Sequence, residues 1–145
     1  MIIGVLKESF PETRVSLLPE HIATLKKWNV DVCVESQAGM DAFAADDKYS
    51  TAGATVKSRE EVLQNSDIIL SIQPIEKSKI ENQKSKIILG VYQPLFNYTL
   101  MKDCASNGIT VFSMDMLPRT TRAQSMDVLS SQANIAGYKA VLNAA

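Results

Sequence analysis

Met114-Asp115-Met116-Leu117-Pro118-Arg119-Thr120-Thr121-Arg122-Ala123-Gln124-Ser125-Met126-Asp127-Val128-Leu129-Ser130-Ser131 is the stretch around which this chain is organised. It starts where a β-type run, residues 109–113, stops, and it ends inside a segment with the composition of a long helix. Pro118 fixes its own φ and pushes Leu117 out of the helical region, so the chain must turn away from the strand there. Thr121 and Gln124 have the T-x-x-Q spacing of a capping box, which predicts a helix starting just after Thr121. Arg119, Arg122, Gln124 and Asp127 therefore fall between the carboxyl end of a strand and the amino end of a helix. That is where α/β proteins take their ligands.

Outward from this stretch the pattern repeats. The apolar run at residues 2–6 ends in charged residues and reads as a buried parallel strand. Residues 30–35 alternate Val30, Val32 and Val34 against Asp31, Cys33 and Glu35, which predicts a half-buried strand. Runs at 67–72 and 86–91 are stopped by Pro74 and near Pro94. Between the strands, Pro19-Glu20 opens a helix whose buried face would hold Ile22, Leu25 and Trp28. Residues 39–53 read as a loop with short helical pieces. Ser58-Arg59-Glu60-Glu61 is a second capping-box pattern, and residues 95–106 form a helix closed by Asn107-Gly108. Five strands alternating with helices predict an α/β fold: a mainly parallel Rossmann-like or flavodoxin-like sheet flanked by helices, with a long C-terminal connecting helix.

That last helix, residues 123–145, would be roughly 34 Å long at 1.5 Å per residue. Gly137 inside it costs about 1 kcal/mol relative to alanine, which points to a close backbone contact. No cap follows Lys139-Ala140-Val141-Leu142-Asn143-Ala144-Ala145. The expectation is a fragment of a longer polypeptide, with residues 1–122 forming an amino-terminal α/β domain and residues 123–145 a helix leading into a further, dinucleotide-binding domain.

The 145 residues carry 15 basic and 16 acidic side chains with no basic cluster, which argues against a nucleic-acid partner. No apolar run approaches the roughly 20 residues that span a bilayer, and Met1-Ile2-Ile3-Gly4-Val5-Leu6 lacks the basic segment of a signal peptide. Cys33 and Cys104 imply neither a disulfide framework nor a zinc site and read as small buried apolar residues. His21 is the lone histidine, which excludes a multi-histidine metal site. The six glycines, at 4, 39, 53, 90, 108 and 137, are too dispersed for G-x-G-x-x-G or a P-loop, so no turn of the usual kind cradles a pyrophosphate.

Each polar residue of the key stretch has a structural role open to it. Gln124 could close the capping box with Thr121, Asp127 could complement a helix dipole, and Arg122 reads as a solvated helix residue. Their joint order suggests more. Pro118-Arg119 through Arg122-Ala123-Gln124-Ser125-Met126-Asp127, then Leu129-Ser130-Ser131-Gln132-Ala133-Asn134-Ile135-Ala136-Gly137-Tyr138-Lys139-Ala140-Val141, resembles the NAD(H)-binding (alpha) component of proton-translocating NAD(P) transhydrogenase. Lys7-Glu8 with Glu12, Arg14, Pro19 and Glu20 fits the same family, as do residues 35–39, Tyr49 and Ala52-Gly53-Ala54. The wider family includes alanine dehydrogenase.

The resemblance implies that Arg119, Gln124 and Asp127 serve the reaction and, with Ser130, hold the nicotinamide of NAD(H). NADP(H) would be bound by a partner component, and a membrane-spanning component would couple hydride transfer to proton translocation. This part would be a homodimer, cytoplasmic and peripheral to a bacterial inner membrane. Alone it is expected to be inactive and to bind NAD(H) weakly or not at all. In the alanine dehydrogenase branch an arginine matching Arg14 binds the substrate carboxylate, beside a lysine and a histidine. Here those two places read Gln73 and Gln93, which cannot act as acid or base at neutral pH. The departure favours the transhydrogenase. An amino-acid dehydrogenase substrate domain and a non-catalytic binding or assembly domain stay open as alternatives.

Overall fold

The computed structural model describes residues 1–76 and 86–144. The strands among them are β1 (Ile2–Val5), β2 (Asp31–Glu35), β3 (Thr55–Lys57), β4 (Ile68–Leu70), β5 (Ile87–Gly90) and β6 (Thr110–Ser113). The helices are α1 (Ile22–Lys27), α2 (Asp46–Ala52), α3 (Arg59–Asn65), α4 (Tyr98–Ser106) and α5 (Val128–Ala144). All strands pair in parallel in one sheet of order β3-β2-β1-β4-β5-β6. That is the Rossmann order, not the flavodoxin one, and it reverses direction between β1 and β4.

The sheet has an apolar cluster on each face. Val5, Ile22, Val32, Val34 and Tyr49 meet on one side. Leu6, Cys33, Val62, Ile69, Ile88, Tyr92 and Cys104 meet on the other. β2 is thus covered on both faces: Cys33 packs against α3 and is buried, which corrects the half-buried reading drawn from its alternation. A parallel sheet roofed on both sides leaves little polar surface on its central strands. Both cysteines are free and buried, and burial pushes each thiol's pKa up.

Three further expectations are corrected. Thr55–Lys57 forms a sixth strand, an edge strand of three residues too short to show a period. Trp28 is 69 % exposed and is not on the buried face of α1; Ile22 is. The terminal helix starts at Val128 and not after Thr121, because residues Thr121–Met126 wind as a 3-10 helix and Asp127 takes an extended conformation (φ −76°, ψ 91°) that separates the two. The two capping-box patterns diverge accordingly. At Ser58 both reciprocal bonds form with Glu61. At Thr121 and Gln124 neither does, and Asp127 caps the helix instead. A short carboxylate reaches the free N–H groups of a first turn, which makes aspartate one of the strongest caps. The last predicted helical residue, 145, lies outside the described residues.

Candidate functional site

The carboxyl ends of the strands carry the candidate site, and the crevice most used by this strand order is closed. Between β1 and β4, the Glu8 carboxylate accepts the backbone N–H groups of Ile72 and Gln73 at 2.6 and 2.9 Å. Arg59 donates to the Lys7 carbonyl at 3.0 Å and to Glu35 Oε2 at 2.9 Å, filling the flank. The remaining space is about 10 Å³, no more than a single water needs. The backbone N–H groups of Ile72 and Gln73 beside this crevice are thus taken up by this chain's own carboxylate.

The open pocket lies past the edge strand β6. Tyr92 N–H donates to the Ser113 hydroxyl at 2.9 Å, and that hydroxyl donates to the Asp115 carboxylate, so the end of β6 is tied to the β5 loop. The chain then turns through a 3-10 segment (Met114–Met116) to an extended Leu117 (ψ 132°), as the following proline requires. The Thr120 N–H donates back to the Pro118 carbonyl at 2.8 Å, and Ala123 is buried. This path encloses a pocket of about 440 Å³. Leu117, Pro118 and Ala123 give its apolar wall, and Arg119, Gln124, Asp127 and Ser130 its polar one. The structure thus brings together all four residues singled out in the sequence. Arg122 is exposed and does not line the pocket.

The four differ in what they have left to offer. Asp127 Oδ1 accepts the N–H groups of Leu129 and Ser130 at 3.1 and 3.0 Å, and Oδ2 accepts the Ser130 hydroxyl at 2.6 Å. The Ser130 bonds, chiefly its hydroxyl, hold the Asp127 carboxyl below its usual pKa, with a smaller pull from Arg119. It is charged at neutral pH and keeps one acceptor position on Oδ2. Arg119 and Gln124 make no side-chain hydrogen bond among the described residues. Their donors and the Gln124 carbonyl are available, a set that matches a primary carboxamide, which needs a donor and an acceptor at once.

Gln73 and Gln93 stand at the ends of β4 and β5, with no titratable side chain at either place. A second cavity of about 390 Å³ lies beside the first and was not foreseen. Arg14, Ser16 and Gln132 line it with an apolar wall of Ile72, Val91 and Leu129, and the Ser16 hydroxyl is buried without a hydrogen-bond partner among the described residues. No local pattern could have found this cavity, since Arg14 and Gln132 are 118 residues apart. Among the described residues no cluster of metal-ligating side chains occurs, and no helix is long and apolar enough to cross a membrane.

Comparison with known proteins adds a second line. Residues 4–136 match the family described as alanine dehydrogenase/PNT, N-terminal domain. The chain is similar to NAD(P) transhydrogenase subunit alpha of Cereibacter sphaeroides, with 37 % identity over 147 residues that cover 99 % of this chain and 28 % of the relative. Among solved structures, a transhydrogenase from Sinorhizobium meliloti superposes with a TM-score of 0.93 and 38 % identity, covering 99 % of this chain and 43 % of that one. An L-alanine dehydrogenase superposes with a TM-score of 0.73 and 28 % identity, covering 79 % of this chain and 32 % of that one. The chain therefore spans less than half the length of these proteins.

Proposed function

The chain belongs to the alanine dehydrogenase/PNT N-terminal domain family, and from that premise we propose that it is the part of an NAD(P) transhydrogenase alpha subunit that holds the nicotinamide end of NAD(H). The observation that carries this reading is the gathering of Arg119, Gln124, Asp127 and Ser130 around one pocket, the first two making no side-chain hydrogen bond among the described residues. Arg119 and Gln124 grip the carboxamide. Asp127, kept ionised by Ser130, attracts the Arg119 guanidinium electrostatically and offers its spare acceptor to the carboxamide N–H. Leu117, Pro118 and Ala123 keep water from one side of the ring.

The nicotinamide, when bound, supplies the hydride: two electrons and a proton pass together from the C4 carbon of NADH to that of NADP+. No side chain of this chain gains or loses a proton in that step, so the work of the residues is positioning and electrostatics. Gln73 and Gln93 fit this division, since no acid or base is called for.

The wider arrangement is part of the proposal. α5 leads into a domain that grips the dinucleotide phosphates, consistent with a β1/β4 crevice sealed by Glu8. NADP(H) is held by a partner component, a membrane component couples the reaction to proton translocation, and the subunit is a homodimer peripheral to the membrane. The test is NADH-to-NADP+ hydride transfer by the full-length subunit assembled with its partners. Arg119→Ala and Gln124→Ala are each expected to lower kcat/KM for NADH by about a hundredfold. Wild-type rates in both would reject the site, and alanine-dependent NADH formation would move the assignment to an amino-acid dehydrogenase.

A further inference from the structure

One hydrogen bond ties the loop after β1 to the first turns of α5: Arg14 Nη1 donates to Gln132 Oε1 at 2.8 Å. On its own loop Arg14 is held rigidly. Its Nε and Nη2 donate to the two oxygens of Glu12 at 2.8 and 2.7 Å, and its backbone N–H donates to Glu12 Oε1 at 2.9 Å. The Glu12 side chain is only 14 % exposed, and Arg14 pulls its pKa down. A bidentate fork fixes the plane of a guanidinium, so the remaining nitrogen is aimed. It is aimed at α5.

That helix has few other holds. Every described residue of it from Leu129 onward is exposed, and a side chain added at Gly137 would meet no described residue outside its own helix within 4 Å. Val128, Leu129 and Gln132 face the second cavity, opposite Arg14, Ile72 and Val91. Asp127 and Ser130, on the same turn, face the larger pocket. The first turn of α5 is the partition between the two cavities, and Arg14 grips it from the side away from the larger pocket.

We propose that Arg14 is a positioning residue for the nicotinamide pocket. Through Gln132 it sets the placement of the first turn of α5, and with it the Asp127 carboxylate and Ser130 hydroxyl. The inference rests on the reading of the larger pocket given above. Arg14 does not touch the ligand, and Glu12 acts one step further out by orienting Arg14.

The experiment is steady-state hydride transfer by the full-length protein with its partner components. Gln132→Leu keeps the bulk and removes the acceptor, and is expected to raise KM for NADH about tenfold with KM for NADP+ unchanged. Gln132→Glu restores an acceptor and is expected to return KM to within about twofold of wild type. Arg14→Lys keeps the charge but loses the planar fork, so it raises KM as Gln132→Leu does, and the double variant adds little more. A merely structural role would reduce the active fraction, hence the maximal rate, and leave KM alone. A wild-type KM for NADH in Gln132→Leu, or no recovery in Gln132→Glu, overturns the proposal. Arg119→Ala tells its failure from that of the pocket: if that variant impairs NADH use while Gln132→Leu does not, only the clamp is lost, and if neither does, the pocket reading goes with it.

Discussion

The Ser130 hydroxyl donates to Asp127 Oδ2 at 2.6 Å while the Ser130 N–H donates to Oδ1 at 3.0 Å, so the carboxylate in the larger pocket is also the cap of the longest helix. One group therefore serves two purposes, and a substitution there must be chosen to separate them. Asp127→Ala removes both and is expected to lower the urea midpoint. Asp127→Asn can still cap but gives up the charge, so it should lower the midpoint by less than Asp127→Ala does while impairing hydride transfer in the complete protein.

The same pair sets a pH dependence. The Ser130 bonds hold the Asp127 carboxyl below its usual value of 3.8. A carboxyl with a depressed folded pKa binds its proton less tightly in the folded chain. Its stabilising contribution is whole above 3.8 and is lost as pH falls through the lower folded value. Acid unfolding of wild type and Asp127→Asn should therefore converge only below that pH.

Arg119 and Gln124 should be dispensable for folding, since neither side chain has a hydrogen-bond partner among the described residues. Alanine at either position is expected to change stability by less than about 0.5 kcal/mol. Arg59→Ala is the contrast. It strips a guanidinium bonded to Glu35 at 2.9 Å and to the Lys7 carbonyl at 3.0 Å. The loss should be about 2 kcal/mol, read from urea unfolding of the two sets side by side.

Glu8 should show the opposite pH sign to Asp127. Burial raises its carboxyl pKa above 4.5, outweighing the N–H groups of Gln73 and Ile72. The folded chain then binds that proton more tightly than the unfolded chain does. Its contribution to stability falls as pH rises from 4.5 to the raised folded value, then levels. Glu8→Gln removes the titration, so the melting temperature of wild type minus variant should decline across that window and be flat above it.

Two glycines divide in the same assay. A Cβ at Gly90 would lie 1.9 Å from the Ser71 carbonyl oxygen and 2.7 Å from the Tyr92 ring, so Gly90→Ala must displace backbone and should cost about 3 kcal/mol. Gly137→Ala meets nothing within 4 Å and should stabilise the helix of this chain by up to about 1 kcal/mol. The close contact anticipated from Gly137 is not made by any described residue.

Apolar runs bounded by proline and glycine revealed the α/β class and the parallel sheet, because burial imprints strand and helix periods on the residues themselves. The joint order of Arg119, Gln124, Asp127 and Ser130 revealed the candidate site, since its residues are neighbours along the chain. T-x-x-Q was misleading because a capping pattern states only which bonds could form. Asp127, three residues further on, offered the helix a better cap.

The amino-acid sequence by itself thus determined most of the elements and a candidate site built from contiguous residues. The tertiary structure alone decided the strand order, the sealing of the β1/β4 crevice by Glu8 and the grip of Arg14 on Gln132. Those depend on partners tens of residues away, brought together by chain crossovers that leave no local trace in composition or period.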